Sequence, residues 1–209
     1  RGYITPQEFN LLADRAQLEL FLNYFHDLKM AYHKPKNQMG VAFDETEMIQ
    51  EKLQPFRSAS TITNQADDAT ITLPTTLFKI DTVSRTEGEV VELSKKEVLL
   101  TQNNPLTQAV INRTVYVRET SGTLTLYPTP LVETSFEIQF FTKPTSPSWG
   151  YVIVNEKALY NSNTSVNFGL HGSEEENLVS RILQLAGVVM MKPEIIEIGG
   201  MEKASTKQE

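Results

Sequence analysis

From Pro6 to about Tyr32 the chain holds no glycine and no second proline. Thr5-Pro6-Gln7-Glu8 forms a capping-box pattern with proline at the first helical position, so a helix is expected to start near Pro6 and run to about Tyr32. Its apolar residues do not fall on one stripe. Projected at about 100° per residue, Phe9, Leu12, Ala13, Ala16, Leu20, Tyr24 and Ala31 make a broad face. Leu11, Leu18 and Leu22 make a second, and Phe21, Phe25 and Leu28 fill much of the rest. Only a wedge around Arg15, Glu19 and His26 is polar. A surface helix of a monomer keeps about half its circumference polar. This helix therefore needs cover from several sides, part of it from another subunit, and Leu11, Leu18, Leu22 and Phe25 are the expected interface residues.

The rest of the chain divides by pattern. A loop with Pro35 and Gly40 follows the long helix, and Asp44 to Glu47 reads as a second capping box opening a short helix that Pro55 stops. Residues 58–145 are β-rich. Segments 70–73, 77–83, 89–93, 114–118, 123–127 and 135–142 are rich in Val, Ile, Thr, Phe and Tyr and bounded by turn residues, as strands are. Thr120-Ser121-Gly122 reads as a tight hairpin turn and 95–102 as one short helix. Six short strands suggest a small sandwich or barrel. After an irregular stretch holding Pro144, Pro147, Trp149 and Gly150, Ser173-Glu174-Glu175-Glu176 reads as a third capping box. The helix behind it carries Leu178, Ile182, Leu183, Leu185, Ala186 and Val189 on one side. The segment after Pro193 reads as a short helix with Ile195, Ile196 and Ile198, then a polar tail. The expected fold class is α+β: a helical bundle of the N- and C-terminal helices (1–57 and 146–209) with an inserted antiparallel β domain (58–145). A chain of 209 residues buries roughly 70% of its unfolded surface, enough for two small cores.

Composition removes several classes of function. The net charge is −7 with no basic segment, which argues against a free-standing nucleic-acid binder. There is no cysteine, hence no disulfide, thiolate nucleophile or thiolate metal site. No apolar run is long enough to span a bilayer. The sequence begins at Arg1 with no signal-peptide pattern, and the chain is expected to continue upstream. His26 and His33 are not at the i, i+4 spacing of helical metal ligands, His171 reads as a loop residue, and no HExxH, GxSxG, P-loop or GxGxxG motif occurs. No catalytic, cofactor or metal residue is assigned, and no enzyme is expected. Glu174 to Glu176 read as first-turn acids on a helix dipole, each worth about 0.3–1 kcal/mol, and Asp67-Asp68 as a solvated turn. Gly2 to Phe9 is similar to the second half of an EF-hand loop, with a proline beside the last ligand and the first ligands lying before Arg1. Asn112-Arg113-Thr114 and Asn163-Thr164-Ser165 match glycosylation sequons by chance. Trp149 with Tyr151 reads as a structural anchor between layers rather than a sugar platform.

Several stretches share one order: GYITPQEFN with the long helix, LPTTLFKIDTV, NRTVYVRE with LTLYPTP, FTKPTSPSWGY, NEKALYN and FGLHGSEEENLVSRILQLAGV. Together, from Gly2 to about Glu194, they resemble virion structural proteins of short-tailed phages, especially crAss-like phages, and among these the head-to-tail adaptor (connector) rings. The resemblance implies a helical bundle with an inserted β domain, a homo-oligomeric ring, usually a dodecamer, and a place in the phage neck after synthesis in the host cytoplasm. The implied partners are the portal protein, other tail or neck rings, and genomic DNA that passes through the channel without specific binding. It implies no catalytic residue, cofactor or membrane. The acidic balance agrees, since a conduit must let phosphates slide. Two other readings stand beside it: a decoration or fibre-attachment protein using the β domain, and a calcium-regulated module.

Overall fold

Thr5 closes the start of the long helix as its sequence requires. The Glu8 N–H donates to Thr5 Oγ1 at 3.3 Å, and the Thr5 N–H donates to Glu8 Oε2 at 2.9 Å. The computed structural model describes residues 3–33, 39–63, 69–86, 88–120, 122–128, 135–190 and Ile198, with backbone alone at 39–43, 119 and 120. Among these residues the chain is mixed α+β, with helices α1 (Pro6–Tyr32), α2 (Met39–Leu53), α3 (Lys95–Thr101) and α4 (Glu175–Met190). The strands are β1 (Arg57–Thr63), β2 (Thr70–Thr72), β3 (Leu77–Arg85), β4 (Gly88–Glu89), β5 (Val91–Glu92), β6 (Val115–Thr120), β7 (Thr123–Tyr127), β8 (Ser135–Thr142), β9 (Tyr151–Val154) and β10 (Lys157–Tyr160). Residues 1–55 with 144–209 form one compact unit, and 56–143 another.

In the first unit α1, about 40 Å long at 1.5 Å per residue, packs against both α2 and α4. Ala13, Ala16, Phe21, Tyr24 and Ala31 of α1 are buried, as are Leu53 of α2 and Leu178 and Ala186 of α4. Arg181 of α4 clamps one carboxylate oxygen of Glu19, with Nη2 at 2.7 Å and Nε at 3.0 Å. Two expected helix starts need correction. Helix α2 begins at Met39, so Asp44 lies inside it and caps nothing, and Gly40 is helical. A helical glycine costs about 1 kcal/mol relative to alanine, less than the packing of α2 on α1 supplies. A 3-10 turn (Gly172–Glu174) precedes α4, and the cap is His171, whose Nδ1 accepts the Ser173 N–H at 3.3 Å; Ser173 is not the N-cap.

That earlier turn places Glu174 inside the unit. Its side chain is 4% exposed, pairs with Lys52 of α2 and accepts the Asn177 amide at 3.1 Å. Glu174 is therefore more than a first-turn acid on a helix dipole, because α2 presents a cation where the turn faces inward. Tyr24 is also buried, and among the described residues no group bonds its hydroxyl. Burial first, and the charge of Glu174 second, push the Tyr24 phenol well above its ordinary pKa.

The second unit pairs two four-stranded sheets, ordered β1-β8-β3-β4 and β2-β7-β6-β5. Strand β8 is central to the first. It pairs antiparallel with β1, from Arg57↔Phe141 to Thr63↔Ser135, and with β3. Phe136, Ile138 and Phe140 of β8 and Ile80 and Val83 of β3 share one core with Ile71, Tyr116, Leu124 and Leu126 of the second sheet, giving a sandwich. Along β6 the alternation sends Val115 and Val117 to the other face, where Val98 of α3 packs on them. Strand β5 joins β6 in parallel through Val91↔Val115. A parallel neighbour requires a crossover, which α3 and the 102–114 loop supply. The Ser94–Glu97 capping box holds α3 in place. Strands β7 and β8 fall where their composition and bounding turn residues put them, whereas β1 was not foreseen.

Because folding raises the Tyr24 pKa, its contribution to stability is complete below the unfolded value of about 10 and is lost as pH rises through the raised value. Tyr24→Phe removes a buried hydroxyl that has no partner among the described residues. It is expected to leave stability at pH 7 unchanged or raise it by about 1 kcal/mol, and to lessen the loss of stability above pH 10, as read by urea titrations at several pH values.

Candidate interaction surface

Residues 144–150 carry Pro144 and Pro147 and join no sheet beyond one bridge, so their backbone groups need partners elsewhere. Helix α1 provides them through two side-chain amides. Asn10 Oδ1 accepts the Trp149 N–H at 2.7 Å, and its Nδ2 donates to the Trp149 carbonyl at 3.3 Å and to Ser148 Oγ at 3.4 Å. Gln17 is 1% exposed. Its Nε2 donates to the Thr145 carbonyl at 2.8 Å, and its Oε1 accepts the Gly169 N–H at 2.9 Å. Both amides were absent from the sequence reading. The only signal was a glutamine inside the apolar row of Ala13, Gln17 and Phe21.

Beyond Trp149 the backbone closes tightly. The Gly150 N–H donates to Ser165 Oγ at 3.0 Å, and its carbonyl accepts the Asn161 N–H at 2.8 Å. A Cβ at Gly150 would sit 2.7 Å from the Thr164 carbonyl carbon and 2.8 Å from the Asn161 oxygen, so only glycine fits here. From this anchor a β-hairpin that the sequence reading left irregular projects, with Tyr151↔Tyr160, Val152↔Leu159, Ile153↔Ala158 and Val154↔Lys157 as cross-strand pairs. Its two-residue turn has positive φ at Asn155 (49°) and Glu156 (64°), the primed geometry that twisted strands favour.

Alternation gives the hairpin two faces. Tyr151, Ile153, Ala158 and Tyr160 share one. Tyr151 stacks on Trp149 there, with ring centroids 5.9 Å apart and planes at 23°. Ala158 lines an open groove of about 490 Å³ with Ile4, Thr5, Pro6, Phe9 and Trp149. Of the two polar side chains of that lining, Thr5 already donates its hydroxyl to Glu8 at 2.8 Å, and Trp149 carries an indole N–H. The groove is lined mainly by apolar side chains. Val152, Val154, Lys157 and Leu159 lie on the opposite face. All four are exposed, as are Tyr160 and Ile153, the latter at 67%.

Of the other residues expected at interfaces, Leu11 is 72% exposed and Leu22 is also exposed, whereas Leu18 and Phe25 are half-buried. Phe25 meets Phe21 edge to face, with centroids 5.2 Å apart. Trp149 is half-buried, and Ile198 is exposed. Ile195, Ile196, Asp67 and Asp68 lie outside the described residues. His26 and His33 are exposed, and His171 serves as a cap. Among the described residues no group of three His, Cys, Asp or Glu could hold a metal, and no helix is long and apolar enough to cross a membrane. The second unit has its own apolar projection. Leu99, Leu100, Leu106 and Ile111 are exposed on α3 and the following loop. That loop is braced by Arg113 on the Leu106 and Gln108 carbonyls and by Arg85 on the Ile111 carbonyl.

Gln17→Ala is expected to cost about 2–3 kcal/mol, because it leaves buried peptide groups without partners. Gly150→Ala should cost about 1–3 kcal/mol from forced backbone movement. Thermal denaturation measures both, and an unchanged melting temperature would contradict the clamp.

The SU10 adaptor protein family matches residues 43–159, more than half of the chain, which span most of α2, the whole second unit and the projecting hairpin as far as Leu159. Among curated proteins none matches. The chain belongs to the SU10 adaptor family, and so to the structural adaptor proteins of phage virions.

Proposed function

We propose that this SU10 adaptor protein assembles as a closed head-to-tail ring in the neck of a short-tailed, crAss-like phage. It sits beneath the portal, joins portal to tail and continues the channel through which genomic DNA passes. The subunit is a helical bundle (1–57 and 146–209) carrying an inserted antiparallel β domain (58–145), and twelve copies close the ring. The observation that carries this reading is the apolar surface left uncovered on the first unit: Leu11 and Leu22 of α1 and both faces of the β9–β10 hairpin. A monomer would hold these side chains in water, whereas a ring covers two patches on every subunit.

Leu11, Leu18, Leu22 and Phe25 belong to the contact between neighbours, with Trp149 as the anchor behind it. Ile195, Ile196 and Ile198 reach a second kind of partner, the portal or the next ring, because so short an apolar run does not hold a helix alone. The net charge of −7 favours a channel lining that repels phosphates rather than binding them, so passage of DNA is not slowed by ion pairs. No step of this role requires catalysis or a cofactor.

Electron microscopy of the purified chain and of virions tests the proposal. End-on views are expected to show a closed ring with a central hole; a trimer or monomer seated on the capsid face would favour a decoration or fibre-attachment protein instead. Deleting residues 194–209 is expected to leave the circular dichroism spectrum of the subunit unchanged and to impair its retention on portals. Normal assembly of the truncated chain into particles that keep their DNA would contradict the role given to the tail.

A further inference from the structure

A two-stranded ribbon is marginal in water unless something covers it, yet β9–β10 exposes Val152, Ile153, Val154, Leu159 and Tyr160. Its two faces differ. One forms a wall of the groove with Ile4, Phe9 and Trp149; the other carries Val152, Val154 and Leu159, with Lys157 beside the turn. A head-to-tail ring needs two different, complementary patches on opposite sides of each subunit. The two faces of a β-ribbon are opposite by construction, since successive side chains alternate. One borders a groove lined by aliphatic and aromatic groups, and the other presents aliphatic groups together with Lys157.

We infer that the Val152–Val154–Leu159 face of one subunit seats in the Ile4–Phe9–Trp149–Ala158 groove of the next copy, so that each hairpin is held between two neighbours. This inference rests on the ring reading and names its contact. The occupant is a second copy because the patch is too small for a stable pair. An exposed apolar patch of a few hundred Å² falls short of the roughly 800 Å² per partner that a stable complex buries. Only closure, which gives every subunit two such contacts in one assembly, makes a patch of this size sufficient. The groove lining is mostly apolar, and the Thr5 hydroxyl in it is already given to Glu8.

The chain has no cysteine, which permits a direct test. Val152→Cys marks the open face and Ala158→Cys the groove face. Their side chains point to opposite sides of the ribbon, so a disulfide within one chain is barred. Under mild oxidation the full-length double variant is expected to give a ladder of dimers, trimers and higher multimers that a reductant collapses, while each single variant stays uncrosslinked. Leu159→Cys with Ile153→Cys, again one residue per face, is expected to behave the same way and guards against a local distortion at either site. Circular dichroism of the reduced variants checks that they fold, and sedimentation of the wild type across a concentration series reports the ring. Dimers from a single variant would mean that a face meets itself, and would overturn the inference. A ring whose double variants both stay uncrosslinked would overturn this contact and leave the ring standing. A wild type that remains a monomer at every concentration would overturn both.

Discussion

The surface of the first unit depends on two amides of α1. Residues 144–150 run without a sheet to pair in, and their peptide groups are satisfied by Asn10 and Gln17. Gln17 also holds the Gly169 N–H, so one buried side chain ties two separate stretches of backbone to the same helix face. A buried peptide group without a partner costs about 1–3 kcal/mol. Without these amides the Trp149 corner would lose the bonds that tie it to α1. The β9–β10 ribbon and the groove beside it take their geometry from that corner, through the Trp149–Tyr151 stack and the tight closure at Gly150.

The same unit buries charge to lock its helices. Glu174 sits almost fully buried in the turn before α4 and is met by Lys52 of α2, and Arg181 of α4 grips Glu19 of α1. The two pairs differ in consequence. Glu19 and Arg181 are both partly exposed, so solvent screens them and their bond contributes little. Removing Lys52 alone would leave a buried carboxylate uncompensated, which costs several kcal/mol. The Lys52–Glu174 pair thus fixes which way the start of α4 faces. The acids that follow, Glu175 and Glu176, are exposed and remain available to solvent or a neighbour.

Local signals were legible in the sequence and remote ones were not. Helix α1 begins and ends where its capping box, its proline and its lack of glycine place it, because all of these act within a turn of the chain. Strands β7 and β8 were clear because one face of each is buried and the other is not. The β9–β10 hairpin was missed for the converse reason. Alternation is a signature of burial on one side, and YVIV has apolar groups on both faces with neither buried. Strand β1, RSASTIT, is built of small polar residues that read as loop until β8 pairs with them. A capping pattern is also only a candidate: Ser94–Glu97 caps α3, whereas Asp44–Glu47 lies inside a helix that begins earlier. For the site itself, Trp149 and its flanking prolines stood out. Gln17 did not, since its partners lie 128 and 152 residues away and leave no trace in the local pattern.

The proposed ring has to hold its neighbours firmly while presenting DNA with little to grip. In that proposal apolar contact between subunits serves the first requirement, and net acidity serves the second. The most direct measurement of this account is amide hydrogen exchange across residues 151–160, compared between the dilute chain and the assembled protein. In the dilute chain the hairpin is expected to exchange fast, as a ribbon open to water on both faces should. On assembly those amides are expected to slow markedly while the core of the second unit stays as it was. Exchange at 151–160 that is equally fast in both states would contradict the claim that neighbouring copies cover this surface.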